Sequence, residues 1–291
     1  MSTILKWAGN KTAIMPELKK HLPAGQRLVE PFAGSCAVMM ATDYPHYLVA
    51  DINPDLINLY QVIKNDVEYF IEEGRYLFEA RNDSEAYYKT RQEFNLRHGG
   101  AIERALYFLY LNRYGYRGLC RYNLNGYFNV PYGNYKKPYF PENEIRAFAE
   151  KAKRATFICA SYDETLAMLK VGDVVYCDPP YDGTFSQYHS NGFTQRDQGT
   201  LSALLIDYVE AGGSVVVSNS DTALTRYLYR SFNLHLITAP RSMGVAAGEG
   251  KSAAEILAVS KSSVIYSDEL PWFGAGAPVG AAVKVAGGVQ A

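Results

Sequence analysis

The sequence predicts an α/β fold, a doubly wound sheet interrupted by a mainly helical insertion, on three observations. Short runs of Val, Ile and Leu recur with continuous rather than alternating apolarity, which marks strands covered on both faces as in a parallel sheet. Helical spacing of apolar residues separates several of these runs. The pattern then breaks between the second and third runs, from residue 52 to residue 155, where helical rhythm replaces it over a length no simple crossover needs. A chain of 291 residues with 48% hydrophobic content is enough for one α/β body with an insertion and a substantial core.

Taken in order, "RLVEPF" (27–32) and "YLVAD" (47–51) are the first two strands. "NPDLINLYQVIKN" opens a helix with Asn53 as N-cap and Pro54 at the first helical position, and spaces Leu56, Leu59, Tyr60 and Ile63 on one face. "IERALYFLYLN" (102–112) repeats helical spacing, and "RYNLNGYFNVP" (121–131) sets Asn125-Gly126 between strand formers, so a two-stranded ribbon is expected within 118–136. "TFICA" (156–160), "DVVYCD" (173–178), "SVVVSN" (214–219) and "LHLITA" (234–239) complete the strands. A helix over 198–213 is expected to stop at Gly212-Gly213. Residues 1–53 and 145–261 therefore read as one domain and 54–144 as an inserted subdomain. The Gly-, Ala- and Val-rich tail, 262–291, is expected to be disordered or dispensable, or else a partner-binding tail.

The formal net charge is −1, which excludes a generally basic coat and requires any nucleic-acid contact to come from a local patch. The four cysteines, Cys36, Cys120, Cys159 and Cys177, form no CxxC pair, so neither a zinc site nor a disulfide framework is expected, and no metal. There is no signal-peptide core and no run of roughly 18 apolar residues. The expectation is a cytoplasmic protein with no membrane association and no obligate protein partner.

The local patch exists. Between Arg104 and Glu142 no acidic residue occurs, while Arg113, Arg117, Arg121, Lys136 and Lys137 supply five positive charges among nine tyrosines. Such groups neutralise phosphates, and interleaved aromatics and Asn side chains such as Asn123 offer stacking faces and edge-reading amides. A solvated face over core tyrosines is the bland alternative. "VEPFAGSCAV" (29–38) puts Gly34 and Ser35 between a strand and a helix, where a ligand can approach the backbone, although a packing turn uses similar residues. Asp51 ends the next strand at the same edge, either as an acceptor for ribose hydroxyls or as a helix cap.

"CDPPYDGTF" (177–185) ends the fourth strand in an acid, two prolines and a tyrosine. Neither proline can extend a ladder, and each fixes its own φ. The Asp178 carboxylate and the Pro179 carbonyl are then acceptors held still, with Tyr181 as an aromatic floor, an arrangement suited to a planar base with an exocyclic amine. A structural Pro-Pro turn is the competing reading.

With these residues in view, the sequence resembles the Dam-type DNA adenine-N6 methyltransferases of the D12 class. The matching stretches are "KWAGNK" (6–11), "PFAGSCAV" (31–38), "ADIN" (50–53), 110–142, "SYDET" (161–165), "YCDPPY" (176–181) and "SNSDT" (218–222), in the family's order. The resemblance implies a Rossmann-like methyltransferase sheet with a DNA-recognition subdomain, S-adenosyl-L-methionine as cofactor and double-stranded DNA as partner, often at GATC. It implies that Trp7, Lys11, Phe32, Ala33, Gly34, Ser35, Asp51, Tyr162 and Asp178 surround the cofactor. Asp178, Pro179, Pro180 and Tyr181 would hold a flipped adenine. Lys6 and Tyr135 would read the first base pair, Leu119, Arg121 and Pro131 the other half-site, and Tyr116 would insert near the vacated base. Arg113 and Lys137 would take phosphates, with Arg117, Asn123 and Lys136 in the same interface.

Three departures stand out: Asn10 after Gly9 where a glycine pair is usual, Cys36 at the end of a GxG turn, and Arg117 where Asn is common. Methylation of another adenine site, of RNA adenine or of cytosine N4, and a binding-only regulator, are the rival readings; His189, beside Tyr188, either lines the base pocket or is a loop histidine hydrogen-bonded for structure.

Overall fold

The computed structural model describes residues 3–9, 11–182, 192–240 and 252–261. Its sheet contains β1 (Arg27–Glu30), β2 (His46–Asp51), β3 (Ala155–Cys159), β4 (Asp173–Cys177), β5 (Ser214–Ser220), β6 (Asn233–Pro240) and β7 (Ser252–Val259), in the order β3-β2-β1-β4-β5-β7-β6. β1 to β5 pair in parallel, whereas β7 runs antiparallel between β5 and β6. Six strands fall on the expected runs. The seventh, "SAAEILAV", was not expected, because three alanines and a glutamate dilute its strand character.

The continuous apolarity of the strands has a direct cause. Leu28, Val49, Val174, Tyr176, Val216 and Leu257 enter one core, while Val29, Leu48, Val175, Cys177, Val215, Val217, Ile256 and Ala258 enter the other. With side chains alternating across a sheet covered on both sides, most strand positions are apolar, and the buried polar ones, Glu30, Asp173, Ser218 and Asn219, lie at strand ends or toward the reactive edge. α1 (Met15–His21), α2 (Ala37–Ala41), α3 (Pro54–Asn65) and α7 (Glu142–Ala152) cover the first face. α8 (Tyr162–Leu166), α9 (Gln195–Glu210) and α10 (Ala223–Leu228) lie on the second. α9 begins three residues before its expected start, at a Thr194–Asp197 capping box, and ends before Gly212 at φ 91°.

Asn53 caps α3 as expected, its side chain accepting from the Asp55 and Leu56 N–H groups. The insertion adds α4 (Val67–Ala80), α5 (Ser84–Asn95) and α6 (Ala101–Tyr114). α6 is buried continuously from Ala105 to Tyr114, and one apolar cluster runs from Leu28 in the sheet to Phe128 and Val130 beyond α6. The expected ribbon over 118–136 does not form a ladder: the pairing reduces to isolated antiparallel bridges at Tyr122↔Phe128 and Gly115↔Tyr132. The reason is local, since Asn123 Oδ1 accepts from the N–H groups of both Asn125 and Tyr127 at 3.0 Å and turns the chain over its own side chain.

Candidate active site

The carboxyl ends of the parallel strands bring the expected residues to one edge, where an open α/β sheet places its ligands. After β1, Ala33 N–H donates to Ala50 O and Gly34 N–H to Asp51 Oδ2 at 3.0 Å. The other Asp51 oxygen accepts the Asn53 N–H at 3.0 Å, so Asp51 ties the β1 turn to the end of β2 and the capping role belongs to Asn53. Gly34 has φ 46° and lies under Trp7, whose Nε1 would be 2.7 Å from any Cβ placed there. Cys36 has φ 57°, a conformation glycine adopts freely and other residues at a cost of roughly 1–2 kcal/mol. The cysteine that replaces glycine there therefore sits in a strained position.

Phe32 and Tyr162 stack with centroids 5.8 Å apart, and Phe193 meets both edge-on. Two aromatic faces for stacking and a strand-end carboxylate as acceptor form an arrangement suited to an adenosyl group. Ser35 and Ala33 are buried within the turn.

Around Asp178 the structure is more elaborate than sequence suggested. Lys11 Nζ lies 2.7 Å from Asp178 Oδ2, donates to Gly9 O, and stands 4.9 Å from the centroid of the Tyr181 ring. Ser218 Oγ donates to Asp178 Oδ1 at 2.8 Å, which leaves Tyr176 Oη as the donor to Ser218. Gln198 donates to Pro180 O, Asp182 N–H to Asn219 Oδ1, Ser220 Oγ to Asp182 O and Thr222 Oγ1 to Asp182 Oδ2. "SNSDT" is thus the strap that clamps the 178–182 turn, with Asn219 itself held by Gln198. Tyr181 Oη donates to Glu255 Oε2 at 2.8 Å. Beneath this edge, Glu30 is 2% exposed, and burial raises its carboxyl to about 8, with the Asp178 charge adding to the shift.

A second group of residues gathers at the loop after α6. Asn112, fully buried, accepts the Lys6 N–H and donates to Lys6 O and Gly118 O, locking the N-terminal segment against the loop. Gly118, at φ 64°, is required because a Cβ would overlap the Lys6 side chain. Lys6 Nζ rests 4.3 Å above the Tyr135 ring, and Tyr135 Oη accepts the Arg117 N–H at 2.9 Å. Burial and the nearby Arg113 charge lower the Lys6 pKa. Tyr116 is exposed, and its N–H donates to Pro131 O, which also places Pro131 beside it. Arg121 is braced by Asn129, which accepts from its Nε at 2.7 Å and from its Nη2 at 3.3 Å. Leu119 is half-buried against the core, and Lys136 and Lys137 are exposed.

Three expectations need correction or comment. Arg113 does not face solvent: it is 7% exposed, and its guanidinium donates to Thr3 O and Ile4 O. It holds the N-terminal segment, and a group so enclosed offers nothing to a phosphate. Asn123 is occupied in closing the turn. Arg117 has φ 55°, in the region where Asn is the usual non-glycine residue, and its guanidinium lies 5.2 Å from the Tyr116 ring. Asn10, Tyr188 and His189 lie outside the described residues. Sequence reasoning gave no role to Tyr176, Gln198, Ser218 or Glu255; the motifs 176–181 and 218–222 signalled the first and third of them.

Among the described residues no three His, Cys, Asp or Glu side chains group as metal ligands, and no helix is long and apolar enough to cross a membrane. The family model for the D12 class N6 adenine-specific DNA methyltransferases matches residues 7–243. The Retron Ec67 DNA adenine methylase of Escherichia coli is 71% identical over 263 residues, covering 89% of this chain and 92% of that protein. The DNA adenine methylase of Escherichia coli K12 is 46% identical over 267 residues, covering 90% and 96%. Among solved structures, an rRNA methyltransferase, aviRa from Streptomyces viridochromogenes, aligns over 89% of this chain and 90% of that one at 12% identity, with a TM-score of 0.37.

Proposed function

Because the chain belongs to the D12 class of N6 adenine-specific DNA methyltransferases, we propose that it methylates the adenine of GATC in duplex DNA, using S-adenosyl-L-methionine, in the cytoplasm. The observation that carries the mechanism is the clamped Asp178–Tyr181 turn. The methyl donor, when bound, supplies an electrophilic methyl group on a sulfonium. Phe32, Tyr162 and Asp51 would hold its adenosyl part, with Trp7, Ala33, Gly34 and Ser35 forming the turn beside it.

Asp178 already accepts from Lys11 and Ser218. A carboxylate has about four lone-pair sites, so it can still accept from an adenine amine. With the Pro179 carbonyl as second acceptor, hydrogen bonds to both amine hydrogens would draw the nitrogen out of full conjugation with the ring and localise its lone pair for attack. The carboxylate then stabilises positive charge on that nitrogen without reorganising, because the strap from β5 fixes it in advance. Tyr181 would stack on the extruded base, and Tyr116 would fill the space it leaves.

Segment 54–144 acts as the recognition part. Lys6 with Tyr135, and Leu119, Arg121 and Pro131, would meet base edges; Arg117, Lys136 and Lys137 would meet the backbone. The test is transfer of labelled methyl to a GATC duplex and to duplexes with one base pair changed. Label confined to GATC as 6-methyladenine supports the proposal, and equal labelling of every duplex overturns its specificity.

Three expected outcomes follow from the loop geometry. Arg121→Ala should reduce discrimination at the guanine it reads by about 10- to 100-fold while GATC binding persists, as measured by kcat/KM on single-substitution duplexes. Lys137→Ala should lower the salt slope of DNA affinity by about 1. Arg113→Met should leave that slope alone and cost about 2 kcal/mol of fold stability, because the Thr3 and Ile4 carbonyls lose a charged donor. Titrations at several salt concentrations, paired with urea unfolding, separate the two.

A further inference from the structure

We propose that Glu255 is a positioning residue that holds Tyr181 in the pose the methyl transfer requires, an assignment that rests on reading Asp178–Tyr181 as the adenine platform. The Tyr181 hydroxyl donates to Glu255 Oε2 at 2.8 Å. Glu255 comes from β7, where it pairs in register with Ser220 of β5 and Ile237 of β6. Ser220 belongs to the strap around the 178–182 turn, so an antiparallel strand delivers this carboxylate to the reactive edge of the parallel ones.

The contact sets two properties of the ring. Prolines at 179 and 180 fix the backbone leading to Tyr181, but they leave its side-chain torsions to be decided by contacts. A hydrogen bond to a carboxylate is roughly twice as strong as a neutral one and decides them. The bond also polarises the phenol. Burial, together with the Asp178 and Glu255 charges, pushes the Tyr181 pKa well up, so the proton stays on Oη. The ring is neutral but electron-rich. Its face attracts the Lys11 ammonium 4.9 Å from its centroid, and it would equally favour positive charge growing on an amine stacked against it.

The experiment is single-turnover methyl transfer to a GATC duplex by Glu255→Ala, Glu255→Gln, Tyr181→Phe and the double variant Tyr181→Phe/Glu255→Ala. Duplex affinity and the emission of 2-aminopurine at the target position are measured in parallel. Glu255→Ala and Tyr181→Phe should each slow transfer about tenfold with affinity unchanged. The double variant should be no slower than Tyr181→Phe alone, because removing the hydroxyl already removes its bond to Glu255. Glu255→Gln retains an acceptor oxygen and should recover most of the rate. Additive losses in the double variant, or a normal rate in Tyr181→Phe, overturn the proposal, and the latter comparison stands even if Glu255→Ala does not fold. Tyr181→Ala separates the two readings: full activity there removes the platform itself, whereas a large loss alongside a normal Tyr181→Phe removes only the role of Glu255.

Discussion

Asp178→Ala is expected to lower the single-turnover rate of methyl transfer about a thousandfold, the scale of removing a preorganised group aimed at developing charge. The carboxylate has two jobs that alanine cannot do. It is the acceptor that would localise the amine lone pair, and it is the counter-charge for Lys11 at 2.7 Å, on a lysine only 8% exposed. Stranding a buried ammonium costs about 3–5 kcal/mol, so the variant should also lose stability. Asp178→Asn separates the two effects, since it keeps an acceptor oxygen without the charge and should fall between wild type and alanine in rate. Rapid-quench transfer on a GATC duplex, with affinity measured alongside, decides it; an Asp178→Ala enzyme within tenfold of wild type would sink the proposed mechanism.

A second large effect concerns pH. Glu30 is raised from 4.5 to about 8 by burial, reinforced by Asp178 and opposed by a backbone bond at Met39. In the unfolded chain this carboxyl ionises above about 4.5, whereas the fold keeps it protonated up to about 8. The folded state therefore binds more protons across that window, and stability falls as pH rises through it, by about 5 kcal/mol in all before levelling off. Glu30→Gln, which resembles the neutral acid, should remove this slope. Urea unfolding at intervals from pH 5 to 9 is the measurement, and a variant with the same slope as wild type would reject the assignment. A neutral Glu30 also leaves Lys11 and Asp178 as a balanced pair at the reactive edge.

What could be read from sequence follows from what is local. Continuous apolar runs give six strands because each residue's environment is the same on both faces. Asn53-Pro54 marks the start of α3 because a cap is a contact across three residues. The Asn-Gly signal placed the turn near 125 but overstated the ladder, since the preference does not reveal that Asn123 closes the loop through its own side chain. The partners of the reactive turn were not legible. Lys11 and Asp178 are 167 positions apart, and Tyr181 and Glu255 are 74 apart, distances at which spacing carries no periodicity. The positive φ at Cys36 and Arg117 shows why those departures matter, which sequence could only flag as unusual.

The place of β7 also bears on how the chain is made. Synthesis produces β5, then β6, then β7, yet β7 must lie between the other two. Until it emerges from the ribosome, β6 has no partner in the sheet and β5 offers an open edge, the kind of surface that invites mispairing. The last strand of the described sheet is therefore also the one that seals it. A nascent chain already holding Asp178 and Tyr181 is still a sheet with a gap, and the carboxylate that meets Tyr181 arrives in the strand that closes it.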